Sequence, residues 1–378
     1  MWPVNALCKL ATVAALHAGI FVAVARAASD DFEAWVVEHG KTYRGVQELQ
    51  EARRNFLVNE RIIERLNADT EDPAEYGHSR FSDLAPAEFR RLYLPLQDMG
   101  AAEGKRGGVA VDPAAPPGGP PAAHDWRDAG AVTPVRDQGG CGSCWAESAV
   151  GSIESSWYLA NRGSMPAPTP LSVEQVIECD PHDNACWGGW QRGAYQYTID
   201  NGGLASEADY PYAVTGHTIC LKNQTFNDTC GDGMCGDPPL TQYCDLTCSD
   251  KSHTPVGRIT AWAALPADED RIAVYLAQHG PVAVGVDADG GNFVWPWLPH
   301  YRKGIANPRW CTDKIDHGVL LVGFGEEHGT TYWIVKNSWG AAWGEAGYFR
   351  LVRGGGKCAV ASMATSAIVG PSTLAITV

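Results

Sequence analysis

The chain has 378 residues, 45% of them apolar, enough to bury a sizeable core in one large domain or two. Its formal charge of −15 excludes the basic face that a nucleic-acid partner would require. Beyond one run near its start, no stretch is long and apolar enough to cross a bilayer.

In chain order, Lys9 precedes an apolar run from Leu10 to Val24, which the small-residue pattern Ala25-Arg26-Ala27 follows. The run is short for a membrane span, and the combination predicts a secretory signal over 1–27. Disulfides form on that route. Of 12 cysteines Cys8 leaves with the signal, and an odd number cannot all pair. One thiol is therefore left over, either reactive or dimer-forming. The sequons at Asn223 and Asn227 suit the same route as glycosylation acceptors.

Residues 28 to about 98 are charged and helical in pattern. Leu49, Ala52, Phe56, Asn59, Ile63 and Leu66 recur every three or four positions, one stripe along a long helix. Gly107 to Ala123 is rich in Pro and Gly and reads as an exposed linker open to proteolysis. From Asp125 onward the chain is rich in Trp, Gly and Cys. Ala146, Val150, Ile153 and Trp157 fall on one helical face with Gly163 as a stop. Ser172 and Gln175 have capping-box spacing, with Leu171 and Val176 placed as a staple. Cys230, Cys235, Cys244 and Cys248 are spaced too loosely for the usual zinc pairs, so disulfides are expected, with their connectivity open. The runs PVAVGVDA, GVLLVGFG and TYWIVKN read as strands. Helices first and strands afterwards predict an α+β fold of two lobes.

A cysteine nucleophile needs its thiolate, hence a nearby base and preferably a helix N-terminus. Cys144 sits where a helical pattern begins. Between His317 and Asn337 lie two strand-like runs of similar length joined by the polar turn EEHGT. An antiparallel hairpin would return Asn337 to the side of His317, where an amide can fix the tautomer and plane of the ring.

The stretches DWRDAGAVTPVRDQGGCGSCWAES, CWGGW, YPY, DHGVLLVGFG and YWIVKNSWG, in this order from Asp125 to about Ala364, resemble the papain-like cysteine peptidases. The resemblance implies a two-lobed fold, a helical lobe against a β-barrel-like lobe, over 122–378. It makes Cys144 the nucleophile, His317 the general base and acid, Asn337 its orienting partner and Gln138 an oxyanion donor, with Trp339 shielding the His317–Asn337 pair. In this family the His-paired thiolate has a pKa of about 3–4. Substrate would contact Gly188, Gly189, Trp190, Gly285, Ile315, Trp339 and Met363. An apolar floor ending in Met363 implies an apolar residue two positions upstream of the cut. Gln191 departs from the apolar residue usual at its position. Glu147 stands where the family usually has Phe, and a solvent-facing or neutralised carboxyl is expected there.

Upstream, Glu48, Phe56, Asn59, Ile63 and Asn67 match the spaced pattern of the family's inhibitory propeptide, with Ala52 in place of its arginine. Gly77, Ser79, Phe81 and Asp83 match a second pattern, with Ser in place of Asn. A helical propeptide of the cathepsin L type over 28–121 is implied, acting as an intramolecular inhibitor and cut within the Pro/Gly linker. By position, the implied disulfides are Cys141–Cys186, Cys179–Cys220 and Cys311–Cys358. Two more would lie among the four cysteines of an insertion at about 223–252, which leaves Cys144 free.

The resulting expectation is a monomeric cysteine endopeptidase made as a zymogen, acting on proteins or peptides without cofactor or metal. It would reside outside the cell or in a lysosomal or vacuolar lumen, with no nucleic-acid or membrane partner. The rivals are a carboxydipeptidase, because of the insertion after YPY, and an inactive binding protein, because of Glu147. A thiol oxidoreductase using Cys141 and Cys144 would need both thiols free and an enclosing βαβ pattern, and neither fits.

Overall fold

The computed structural model describes residues 31–94, 108–114, 116–213, 248, 253–291 and 296–370. The expected signal, Asn223, Asn227, Cys220, Cys230, Cys235 and Cys244 lie outside them.

Helix α1 (31–38) and the long α2 (Val46–Asn67) cross near Phe56, which packs with Phe32, Trp35 and Ala52. Ala52, Phe56, Asn59, Ile63 and Leu66 are buried as the periodicity predicts, joined by Ile62. Leu49 is not: it lies on the first turns of α2, upstream of the crossing, and is exposed. Asn59 Nδ2 donates to the carbonyls of Ser82 and Leu84, each at 2.9 Å, and Lys41 holds Asp83 at 2.8 Å. The propeptide patterns thus tie α2 to the loop ahead of α3 (Pro86–Tyr93). Between them, strand β1 (Glu75–Tyr76) pairs antiparallel with β6 (Tyr301–Lys303).

Strand β2 (Gly108–Ala110) comes from the segment expected to be an open linker. Instead it runs parallel along β4 (Ala261–Ala264), and Val111 N–H donates to Ala264 O at 3.0 Å. An unpaired sheet edge recruits backbone even from a weakly patterned segment. Glycine is required at 108, because a Cβ there would stand 2.5 Å from the Trp262 ring. Residues 116–118 and 121–123 are exposed as expected.

Next come β3 (His124–Asp125), α4 (Cys144–Ala160), α5 (Val173–Cys179) and α6 (Gln191–Asp200). After β4 follow α7 (Glu269–His279), β5 (Val282–Val286), β6, β7 (Ile305–Ala306), β8 (His317–Glu327), β9 (Thr330–Lys336), β10 (Tyr348–Val352) and β11 (Thr365–Ile368). The main sheet has the order β2-β4-β11-β5-β8-β9-β10-β7, with β3 added to β8. Helices α4 to α6 pack around one apolar cluster, and the sheet with α7 builds a second that also takes in Phe81, Phe89 and Tyr93 of the propeptide. The fold is α+β, as expected.

Helix α4 lies between these two clusters. All of its residues from Cys144 to Ser156 are buried, not only the single face seen in the sequence. Ser172 caps α5 by accepting from Gln175 N–H at 3.0 Å, while Gln175 Oε1 accepts from Ala205 N–H at 2.7 Å. Ser172 N–H goes to Ala205 O, so the far arm of the capping box is diverted to a neighbouring segment.

Cys141–Cys186 and Cys311–Cys358 are disulfide-bonded, and Cys144 is free. Cys179 bonds to Cys248, not to Cys220, which also removes Cys248 from the pairs expected within the insertion. The cause is the path of the chain. Where it returns from the insertion, His253 packs 4.9 Å from Tyr210, whose hydroxyl bonds Glu178, so the later cysteine arrives beside the end of α5.

Candidate active site

Cys144 opens α4. The loop before it is fixed by the Cys141–Cys186 disulfide and by Gly142 N–H donating to Cys186 O at 2.9 Å. Gly318, next to His317, lies against the same helix start; a Cβ on it would stand 3.0 Å from Cys144 O.

His317 starts β8 and Asn337 follows β9. The turn between the strands is tighter than the sequence suggests. Glu327 pairs with Thr330, leaving only His328 and Gly329, with φ of 52° and 80°. Two successive left-handed residues match the hand of the strands and bring the arms back in register. His317 Nε2 donates to Asn337 Oδ1 at 2.8 Å, and Ser338 N–H donates to the same oxygen at 2.9 Å. The bond to Nε2 leaves Nδ1 as the basic nitrogen of a neutral ring, and Nδ1 has no partner among the described residues. The Trp339 ring stacks 4.8 Å from His317 and excludes water from the Asn337 side.

Gln138 is fully buried. Ser338 Oγ donates to its Oε1 at 2.6 Å, which turns Nε2 toward Cys141 O at 2.7 Å and toward the carbonyl of Tyr93 at 3.3 Å. Tyr93 belongs to α3, so a propeptide carbonyl occupies the space Nε2 faces. Phe81, Phe89 and Tyr93 cover Trp339, with ring centroids 5.3 to 6.4 Å away. Burial pushes the Cys144 thiol up to about 12 and the His317 imidazole down to about 4. In this covered form burial thus works against the ion pair the resemblance implies.

Trp190 belongs to one apolar cluster, and Ile315 and Met363 pack against the same cluster. Gly285 leaves room for Ile315, whose Cγ2 would stand 2.5 Å from a Cβ there. Gly188 has φ of 101°, and a Cβ on Gly189 would stand 2.6 Å from Asp183 Cβ, so both positions need glycine. Gln191 is buried and donates to Ser148 Oγ and Val284 O, each at 3.1 Å.

A charged group beneath the site was signalled in the sequence only by Glu147, because its members come from separated segments. Arg136 bonds Glu154 and the Leu171 carbonyl, and Lys336 Nζ donates to Thr133 Oγ1 at 3.0 Å. Glu147 joins them, its Oε2 3.7 Å from Arg136 and its Oε1 buried without a hydrogen-bond partner among the described residues. Burial pushes its carboxyl up to about 7 against the pull of Arg136 and Lys336. Of the two states expected for Glu147, the solvent-facing one is not found and the raised carboxyl agrees with the neutralised one: the residue is buried, in a cavity shared with Lys336, Asn337 and Ser338.

The papain family cysteine protease model matches residues 120–368, and the cathepsin propeptide inhibitor domain matches residues 32–89. Cathepsin F of Mus musculus is 36% identical over 89% of this chain, which spans 64% of that protein. Cysteine proteinase 1 of Zea mays is 36% identical over 90% of this chain and 86% of its own length. Among solved structures, digestive procathepsin L 3 of Tenebrio molitor superposes with a TM-score of 0.71 at 30% identity, covering 90% of this chain and 99% of that one. The stem bromelain precursor gives 0.70 at 29% identity, covering 91% and 99%. With its hairpin-paired His317 and Asn337, a free Cys144 at a helix start and an inhibitor domain laid over them, the chain belongs to the papain family of cysteine proteases.

Proposed function

We propose that this chain is the zymogen of a cysteine endopeptidase that enters the secretory route through residues 1–27 and works in a lysosomal, vacuolar or extracellular space. The observation that carries the reading is the His317–Asn337 bond, which leaves Nδ1 as the only basic nitrogen of the ring. Once the propeptide leaves, the Cys144 proton passes to Nδ1 and the thiolate attacks the peptide carbonyl carbon. Charge on the carbonyl oxygen is met by Gln138 Nε2 and the Cys144 backbone N–H. The C–N bond breaks as His317 returns the proton to the leaving amine. Water, deprotonated by His317, then hydrolyses the thioester and regenerates the thiol.

The place of Trp190, Ile315 and Met363 in or against one apolar cluster supports a preference for an apolar side chain two positions upstream of the cut. Burying such a side chain contributes roughly 1.5–3 kcal/mol. The exposed residues 116–118 and 121–123 support the linker as the place of processing.

The test is acid activation, labelling with a thiol-directed epoxide, and cleavage of a peptide library. Labelling at Cys144 with internal cuts after apolar-X pairs is expected. An intact fold that neither labels nor cleaves would overturn the reading, and release of C-terminal dipeptides alone would replace it by an exopeptidase.

A further inference from the structure

Three aspartates stand together beside His317 without any part in the chemistry above. Val286 at the end of β5 pairs with His317 at the start of β8. That register sets Asp287 and Asp289, just past β5, against Asp316, just before β8. The three are buried, and each offers a carboxylate oxygen within 4.8 Å of the others.

Their hydrogen bonds differ. Asp287 accepts from the N–H groups of Gly290, Gly291 and Thr312 and from Thr312 Oγ1, so both of its oxygens are occupied. Asp316 accepts from the N–H groups of Ala288 and Asp289. Asp289 Oδ1 accepts from Gly291 N–H at 2.9 Å. Its Oδ2 takes no N–H donor of the peptidase domain among the described residues, while the Asp316 carboxyl beside Asp289 is pushed well above its usual range by burial and by the Asp289 charge. These N–H donors use the lone pairs that a metal ion would need, so the cluster is poorly made for one.

The donor that Oδ2 does take is a cation from the propeptide, the Arg90 guanidinium of α3. This removable segment leaves Asp289 only 4% exposed while it stays in place. When the segment goes, Asp289 loses its counter-charge and is left beside the Asp287 and Asp316 carboxyls, within 4.8 Å, an unfavourable state unless another cation enters. The position of that cation relative to the cut follows from α3. Tyr93, three residues after Arg90, places its carbonyl at Gln138 Nε2, and three helical residues rise about 4.5 Å. The pocket therefore lies about one residue from the reacting carbonyl. It also lies on the side of the leaving amine, because His317 protonates that amine, Asp316 is the residue before His317, and Asp287 follows Val286, which pairs with His317.

We infer that Asp289, backed by Asp316 and Asp287, forms a cation-selective subsite that takes a lysine or arginine side chain immediately downstream of the cut bond. Arg90 is its occupant in the proenzyme. The inference rests on the peptidase reading above, and the two fail in different ways. An arginine or lysine restores the charge pair, a leucine leaves the carboxylate unpaired, and a glutamate adds repulsion.

The experiment uses enzyme activated from the full-length chain and quenched peptides identical except for Arg, Lys, Leu or Glu just after the cut. Arg and Lys peptides should exceed Leu roughly tenfold in kcat/KM, as expected for a charge-assisted hydrogen bond, with Glu below Leu. Asp289→Asn should collapse the Arg-to-Leu ratio toward one. Equal rates for all four peptides, or an equal fall for all of them in Asp289→Asn, would overturn the subsite while leaving the peptidase intact. If no peptide is cut, the peptidase reading fails, and a second arm still judges the pocket. In Cys144→Ala proenzyme, Arg90→Ala should lower the thermal midpoint and Arg90→Lys should largely restore it. An unchanged midpoint in Arg90→Ala, or a calcium-induced rise in its place, would overturn the assignment.

Discussion

Asn337 Oδ1 accepts from His317 Nε2 at 2.8 Å while also receiving the N–H of Ser338, so the amide that holds the imidazole is itself held by the next residue of its own chain. Replacing Asn337 by Ala frees the ring to rotate. A misplacement of about 1 Å at a reacting group can reduce rate by about 10²-fold. Asn337→Ala is expected to lower kcat by that order with KM little changed, as read by steady-state kinetics on an activated preparation.

Gln138 contributes to transition state and inhibitor alike through one nitrogen. Gln138→Ala should lower kcat by about 10²–10³. It should also loosen the propeptide modestly, since Tyr93 O loses a donor. Titrating activated enzyme with its own propeptide measures the second effect.

Acid should loosen the propeptide through two histidines. Gly77 N–H donates to His300 O at 2.8 Å, which joins the two bodies at that point. Burial lowers His300 to about 3, and it lowers His78 as well, although Glu60 pulls His78 upward. A base with a depressed value binds fewer protons in the folded proenzyme than in the unfolded chain, so its contribution to stability is full above 6.5 and is lost as pH falls toward the lowered values. In Cys144→Ala proenzyme the thermal midpoint should drop between pH 7 and 4, and His300→Gln should drop less.

Glu147 has the opposite sign. Its carboxyl is pushed up to about 7, so the folded state holds the proton more tightly than the unfolded chain. The penalty for the anion grows as pH rises from about 4.5 and is complete above 7. Glu147→Gln should therefore stabilise the protein more at pH 8 than at pH 5, as calorimetry at the two values would show. An equal gain at both would mean that the carboxyl is not the cause.

Non-reducing peptide mapping should recover Cys179 joined to Cys248. A Cys179–Cys220 peptide would return the assignment to the one implied by position.

What could be read in advance was local or carried by a long motif. The α2 stripe needed only a 3.6-residue period, and the approach of His317 to Asn337 needed only two strands and a short turn. Features that depend on how distant segments meet were not legible. Arg136, Glu147, Glu154 and Lys336 come together only because α4 packs on β8, whose neighbour β9 carries Lys336, and against the loop that precedes α4. Gly108 looked like linker because its partner edge lies more than a hundred residues away at Trp262. Cys248 displaced Cys220 because the insertion returns beside α5, which no spacing rule encodes. The Asp287, Asp289 and Asp316 group depends on the register of β5 with β8.

The pairing of β2 with β4 bears on what activation involves. A protease that nicks the 116–123 stretch severs the chain, yet β2 on β4, β1 on β6 and the aromatic cover on Trp339 all lie upstream of the nick and stay seated. Scission and departure are then separate events. The first converts a tethered inhibitor into a free one at the same surface, and the second becomes a bimolecular equilibrium that dilution favours. Onset of activity should accordingly lag behind the appearance of the cut band, with a lag that shortens as the preparation is diluted.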